Sequence, residues 1–148
     1  MESLTAATLE GALRDALRPG MTAALGDGVG QLRCLDDGTP VGTVLSAAAR
    51  EVGSVRLVVG WLPVAMEGLD ADAFHDVVAL MPGWGLRETL KSTTARFLPT
   101  RLSGIPSLLS DVLHPQLLFT GLVQRDGRTE FGTEVSWQRS VIDSGTRT

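Results

Sequence analysis

Cysteine is nearly absent: Cys34 is the only one among 148 residues. An internal disulfide is therefore excluded, and a reducing, cytoplasmic setting is expected. Cys34 lies in Gln31-Leu32-Arg33-Cys34 with no His beside it, so a metal site is not expected and a passive loop or core thiol is. Histidine is scarce too. His75 and His114 stand far apart in sequence, without the spacing of metal ligands. No Gly-x-Ser-x-Gly occurs, which removes the nucleophile turn of an α/β-hydrolase. No apolar run approaches the roughly 18–20 residues needed to span a bilayer, and the first residues carry no signal-peptide core. Basic residues form no stripe, and the net charge is −4. A nucleic-acid footprint is thereby excluded, although a single Arg or a helix N-terminus would still suit a small anion.

What remains is ordinary for one soluble domain: 43% apolar and 20% charged residues, in a chain long enough to bury a core. Residues 1–148 are read as a single domain. Leu9, Ala12, Leu13, Ala16 and Leu17 recur at helical spacing, predicting a helix over residues 4–17 that stops at Arg18-Pro19-Gly20. Residues 21–25 then read as a short buried strand running into Gly26-Asp27-Gly28-Val29-Gly30. Val41, Val44, Leu45 and Ala48 predict a second helix, with Thr39 as N-cap and Pro40 at its first position.

Residues 54–62 and 76–80 are almost continuously apolar, as inner strands covered on both faces should be. A short helix is expected near 86–92 and extended chain over 95–102. Ile105, Leu108, Leu109 and Val112 predict a further helix, and residues 117–123 the last strong strand. Alternating strands and helices imply right-handed crossovers and an α/β fold, a mostly parallel sheet flanked by helices.

Open α/β sheets bind ligands where loops leave the carboxyl ends of strands, so Gly26, Asp27, Gly28 and Gly30 are candidate binding residues. The loop is neither a dinucleotide fingerprint, since Arg33 takes the place of the third glycine, nor a P-loop. A tight turn accounts for it equally well. Trp61 and Trp84 lie just beyond predicted strands and are expected to pack in the core, or else to wall a pocket or interface. Asp126-Gly127 signals a hairpin turn, and its flanking Arg125 and Arg128 would suit an anion if they faced a cleft.

Several soft motifs occur in a telling order. They are Leu17-Arg18-Pro19-Gly20 before a strand and Gly26-Asp27-Gly28, Thr39-Pro40 before a helix, and Arg96-Phe97-Leu98-Pro99 followed by Ile105-Pro106. Residues 116–121, Asp126-Gly127, Phe131-Gly132 and residues 135–142 complete the series. This order resembles the amino-terminal half of the acetyl-CoA hydrolase/acyl-CoA:carboxylate CoA-transferase family. Here residues 31–38 look like an addition, and Leu122-Val123-Gln124-Arg125 stand where family members usually carry a Ser-Pro pair.

The resemblance implies a CoA-transferase (NagB/RpiA-like) amino-terminal fold acting in acyl-CoA/carboxylate chemistry. It implies coenzyme A as substrate or ligand, no metal, and an acyl-CoA or small carboxylate as partner. The family's nucleophile is a glutamate in its second half, which attacks the thioester and leaves again. No residue here aligns with it, and Glu88, Glu130 and Glu134 are not substitutes. No catalytic residue is therefore assigned. Gly26, Asp27, Gly28, Gly30, Trp61 and Trp84 would position substrate or CoA, a partner subunit would supply the second half, and an oligomer is expected. The alternative is a non-catalytic module binding a CoA ester, an organic acid or a protein.

Overall fold

The computed structural model describes residues 5–27, 33–131 and 137–146. Five apolar runs form β1 (Thr22–Leu25), β2 (Arg56–Val59), β3 (Asp76–Ala79), β4 (Ala95–Phe97) and β5 (Leu117–Phe119). They pair in the order β4-β3-β2-β1-β5, every neighbour parallel.

Alternate residues of a strand face opposite ways, and here both faces are covered. Ala23, Leu25, Leu57, Val59, Val77 and Leu117 join a core completed by α1 (Ala6–Ala16) and α2 (Val41–Val52). Ala24, Val58, Val78 and Leu118 join a second core with α3 (Ile105–Leu108) and α4 (Gln138–Asp143). That double burial is why the strands read as continuous apolar runs. The α/β expectation holds in this form.

Local chemistry sets the ends. Thr5 and Thr8 cap α1 reciprocally, and the helix stops before Pro19 and Gly20 (φ 83°). The second helix begins at Val41 with Pro40 as its N-cap, one residue later than Thr39 as cap would place it. Among the first four strands only β1 and β2 are joined through an α-helix. A loop with one 3-10 turn (Ala71–Ala73) links β2 to β3, and two more (Trp84–Leu86, Thr89–Lys91) stand where a short helix was expected.

The third helix is also shorter than its periodicity suggests. After Leu108 it widens into a π-turn, Leu109–Leu113, closed by the His114 amide on the Leu109 carbonyl at 2.8 Å. Pro115 follows, and a residue before proline is driven out of the right-handed helical region. His114, the C-cap, adopts the left-handed conformation at φ 42°.

The strand expected over 117–123 breaks after Phe119. Its continuation is a separate antiparallel hairpin of β6 (Leu122–Arg125) and β7 (Arg128–Phe131). Asp126 (φ 50°) and Gly127 (φ 75°) make the turn, the two positive φ values that a tight two-residue hairpin requires.

The chain thus builds β1 to β4 outward in one direction and then returns to β1's other side for β5. The switch point of the sheet lies between the carboxyl ends of β1 and β5. At the amino edge, Asp76 is gripped by Arg96 Nε and Nη2 and by Arg56 Nε, each at 2.9 Å. The Arg96 hydrogen bonds chiefly, with help from Arg56 and against partial burial, hold the Asp76 pKa down to about 2.

Candidate functional site

Gly26 and Asp27 leave β1 directly at the switch point. The Gly26 amide donates to the Phe119 carbonyl at 2.8 Å, closing the gap between β1 and β5. A Cβ on Gly26 would stand 2.6 Å from Gln138 Oε1 and 3.1 Å from the Phe119 carbonyl oxygen. The glycine is therefore required by close approach. Gly28 and Gly30, the other candidates in this loop, lie outside the described residues.

Asp27 is only 6% exposed, and its Oδ1 accepts from the Trp61 amide at 2.6 Å. Its observed contact is a tether between the chain leaving β1 and the chain leaving β2. Gly60 makes that tether possible, since a Cβ there would collide with the Asp27 carboxylate and stand 3.0 Å from Trp137 Cζ2.

Trp137 and Gln138, at the start of α4, complete this corner, and both are 1% exposed. Gln138 Oε1 accepts from Thr120 Oγ1 just beyond β5. Gln138 Nε2 and Trp137 Nε1 are buried with no hydrogen-bond partner among the described residues. Two N–H donors from neutral side chains thus sit unsatisfied where β1, β2 and β5 end. The sequence places both in a closing helix, but neither residue type announces a buried donor.

Trp61 and Trp84 are brought together, although neither is a core residue. They line one cavity of about 740 Å³ beyond the carboxyl ends of β2 and β3, with Trp61 38% and Trp84 80% exposed. The expected core packing fails because each Trp follows its strand on a loop that runs over the sheet's edge. The Arg87 guanidinium carbon lies 5.6 Å from the Trp84 ring centroid, within cation–π range.

The other chemistry-bearing side chains stand elsewhere. Arg125 and Arg128 are opposite one another at the exposed hairpin tip. Glu88 is held by Lys91 Nζ at 2.8 and 2.7 Å, which keeps its carboxyl below the usual range. Glu130 is exposed on β7, and Glu134 lies outside the described residues. Cys34 is an exposed loop thiol. Among the described residues no group of three or more His, Cys, Asp or Glu side chains is placed to hold a metal. No helix among them is long and apolar enough to cross a membrane.

Several large apolar side chains are left exposed. They include Val64, Trp84 and Phe97 at or after the ends of β2, β3 and β4, but also Leu102, Val112 and the hairpin residues Leu122 and Val123. No protein-family model matches the chain, and no curated protein matches it. Fold and site together define a parallel α/β domain, with buried donors at its switch point and an aromatic cavity beside them.

Proposed function

We propose that this domain binds the acyl end of an acyl-CoA, or the small carboxylate exchanged with it, where β1, β2 and β5 end. In this reading it is a substrate-positioning domain of the CoA-transferase/acetyl-CoA hydrolase type. The observation that carries the reading is the pair of buried, unpartnered donors, Trp137 Nε1 and Gln138 Nε2. A buried donor without a partner costs about 1–3 kcal/mol. A carboxylate or thioester carbonyl oxygen, which only accepts, would satisfy such a donor. Neutral N–H groups aimed at an acyl oxygen are also what stabilises charge developing there during acyl transfer.

Coenzyme A is substrate or ligand in this reading, and no metal is needed. The nucleophile comes from a partner chain in this reading, because no residue here stands in for the family's glutamate. The exposed Val64, Trp84 and Phe97 at or after the ends of β2, β3 and β4 support such a partner. The second reading, a non-catalytic module for a CoA ester, organic acid or protein, follows from the same lack of a matching glutamate.

Isothermal titration with acetyl-CoA and with acetate tests the proposal on the wild-type chain and on Trp137→Phe, which keeps an aromatic ring in the core and removes one donor. One hydrogen bond of about 1–1.5 kcal/mol predicts a roughly tenfold weaker complex for the variant. Absence of binding to either ligand, or equal affinity in the variant, contradicts it.

A further inference from the structure

The hairpin of β6 and β7 packs on neither core. All of β6 and the first three residues of β7 are exposed, Leu122 and Val123 among them. Two strands alone are marginal in water and gain stability from a third strand or a covering layer. The outer edge of β7 is also open. Its two-residue turn makes Arg125–Arg128 a hydrogen-bonded pair, and hydrogen-bonded and non-hydrogen-bonded pairs alternate from there. The backbone groups of Thr129 therefore point away from β6, and they have no partner among the described residues.

The charges along this edge are self-complementary. Alternate residues of a strand share a face, so Arg128 and Glu130 stand side by side on β7, with Arg125 and Val123 across the hairpin. Arg128 is opposite Arg125, a like-charged pair that weakens the hairpin, and Glu130 is opposite Val123. Neither Arg128 nor Glu130 has an ion-pair partner among the described residues. The sole charge on β6 is Arg125, so that strand cannot complement itself. With one charge of each sign, β7 can.

We infer that β7 pairs antiparallel with β7 of a second copy of this chain, about a two-fold axis through Thr129. The product is a four-stranded sheet in which Arg128 of each chain meets Glu130 of the other. A two-fold interface is reciprocal, so a single register supplies both ion pairs. At the axis the two Thr129 residues exchange both backbone hydrogen bonds, as their outward groups require. Arg128 and Glu130 then form the non-hydrogen-bonded pairs on either side, where Cα atoms are about 4.5 Å apart and side chains approach most closely. Threonine opposite threonine and opposite charges in register are both favourable cross-strand pairs. Each incoming Glu130 also lies beside the Arg125–Arg128 pair and offsets its repulsion. Since only outward groups can bond, the neighbouring registers move the axis to Arg128 or to Glu130. Either would oppose like charges, so the pattern selects one register as well as one partner. The pairing is independent of the acyl reading of the carboxyl edge.

Sedimentation velocity of the full chain tests this with Arg128→Glu, Glu130→Arg and an equimolar mixture of the two. The wild type should sediment as a dimer at micromolar concentration. Each single variant opposes like charges at both pairs and should associate roughly thirtyfold more weakly. In the mixture one variant is acidic at both positions and the other basic, so a heterodimer should form with wild-type affinity. That recovery cannot arise if either substitution simply melts the hairpin. Both side chains are exposed, so urea melts of the dilute variants should match the wild type. A wild type that stays monomeric up to high micromolar concentration overturns the inference. So does a dimer that survives in both single variants, which would place the contact on another surface. A mixture that stays monomeric also overturns it, by excluding this register.

Discussion

At Gly60 the chain leaving β2 passes over the Asp27 carboxylate and under the edge of Trp137. An added methyl group there has nowhere to go, because both neighbours are buried and fixed. Gly60→Ala should destabilise the protein by about 1–3 kcal/mol, as overpacking of a full site does, readable as a lower urea midpoint. Trp137 makes the opposite case. Its ring fills the second core, but its Nε1 is unsatisfied. Trp137→Phe should leave folding stability within about 1 kcal/mol of wild type, since the lost volume is offset by the lost orphan donor. Trp137→Ala, which empties the site, should cost about 3–5 kcal/mol in the same melts. A large loss from the Phe variant would mean that the indole N–H is satisfied after all.

Among the elements, those whose signal is local and periodic are legible from sequence. The first two helices and the strands at 22–25, 56–59 and 76–79 follow from apolar spacing and from Pro and Gly stops. Less legible are elements decided by distant partners. The run at 117–123 is one apolar stretch in sequence, yet only Leu117–Phe119 finds a strand to pair with, and Leu122 onward pairs with β7. The candidate site divides in the same way. Gly26, Asp27, Trp61 and Trp84 follow apolar runs and could be singled out, whereas Trp137 and Gln138 join them only through the return of α4 to the sheet. The hairpin offers a test of independence. All of β6 and most of β7 are exposed, so its turn should be locally but not globally important. Gly127 has φ 75°, where an Ala is strained by about 1 kcal/mol. Gly127→Ala should accelerate amide exchange across the hairpin and leave the global urea midpoint unchanged. A shifted midpoint would show that the hairpin folds as part of the core.

For the whole molecule the two edges of the sheet have different characters. The amino edge holds the Arg56–Asp76–Arg96 cluster, and the carboxyl edge holds the glycines, the tryptophans and the unsatisfied donors. Asp76 titrates near pH 2 in the folded chain against a usual value of 3.8. A lowered carboxyl pKa means that the unfolded chain binds the proton more readily. The resulting stabilisation is therefore complete above about pH 5 and is lost as pH falls through 4 toward 2. Each pKa unit is worth about 1.4 kcal/mol. Since Arg96 is half exposed and screened by solvent, about 1–2 kcal/mol is expected in total. In urea melts Asp76→Asn should trail the wild type by that amount at pH 6 and converge with it near pH 2, without altering ligand affinity at neutral pH.

The division of labour between the edges is tested most directly by hydrogen exchange of the wild-type chain with and without acetyl-CoA. Slower exchange is expected at the amides of Gly26, Trp61 and Gln138, where β1, β2 and α4 meet. Exchange at the amino ends of β2 and β3, around Arg56 and Asp76, should be unchanged. Bound acetyl-CoA that leaves the first group unchanged, or that protects only the second, would contradict it.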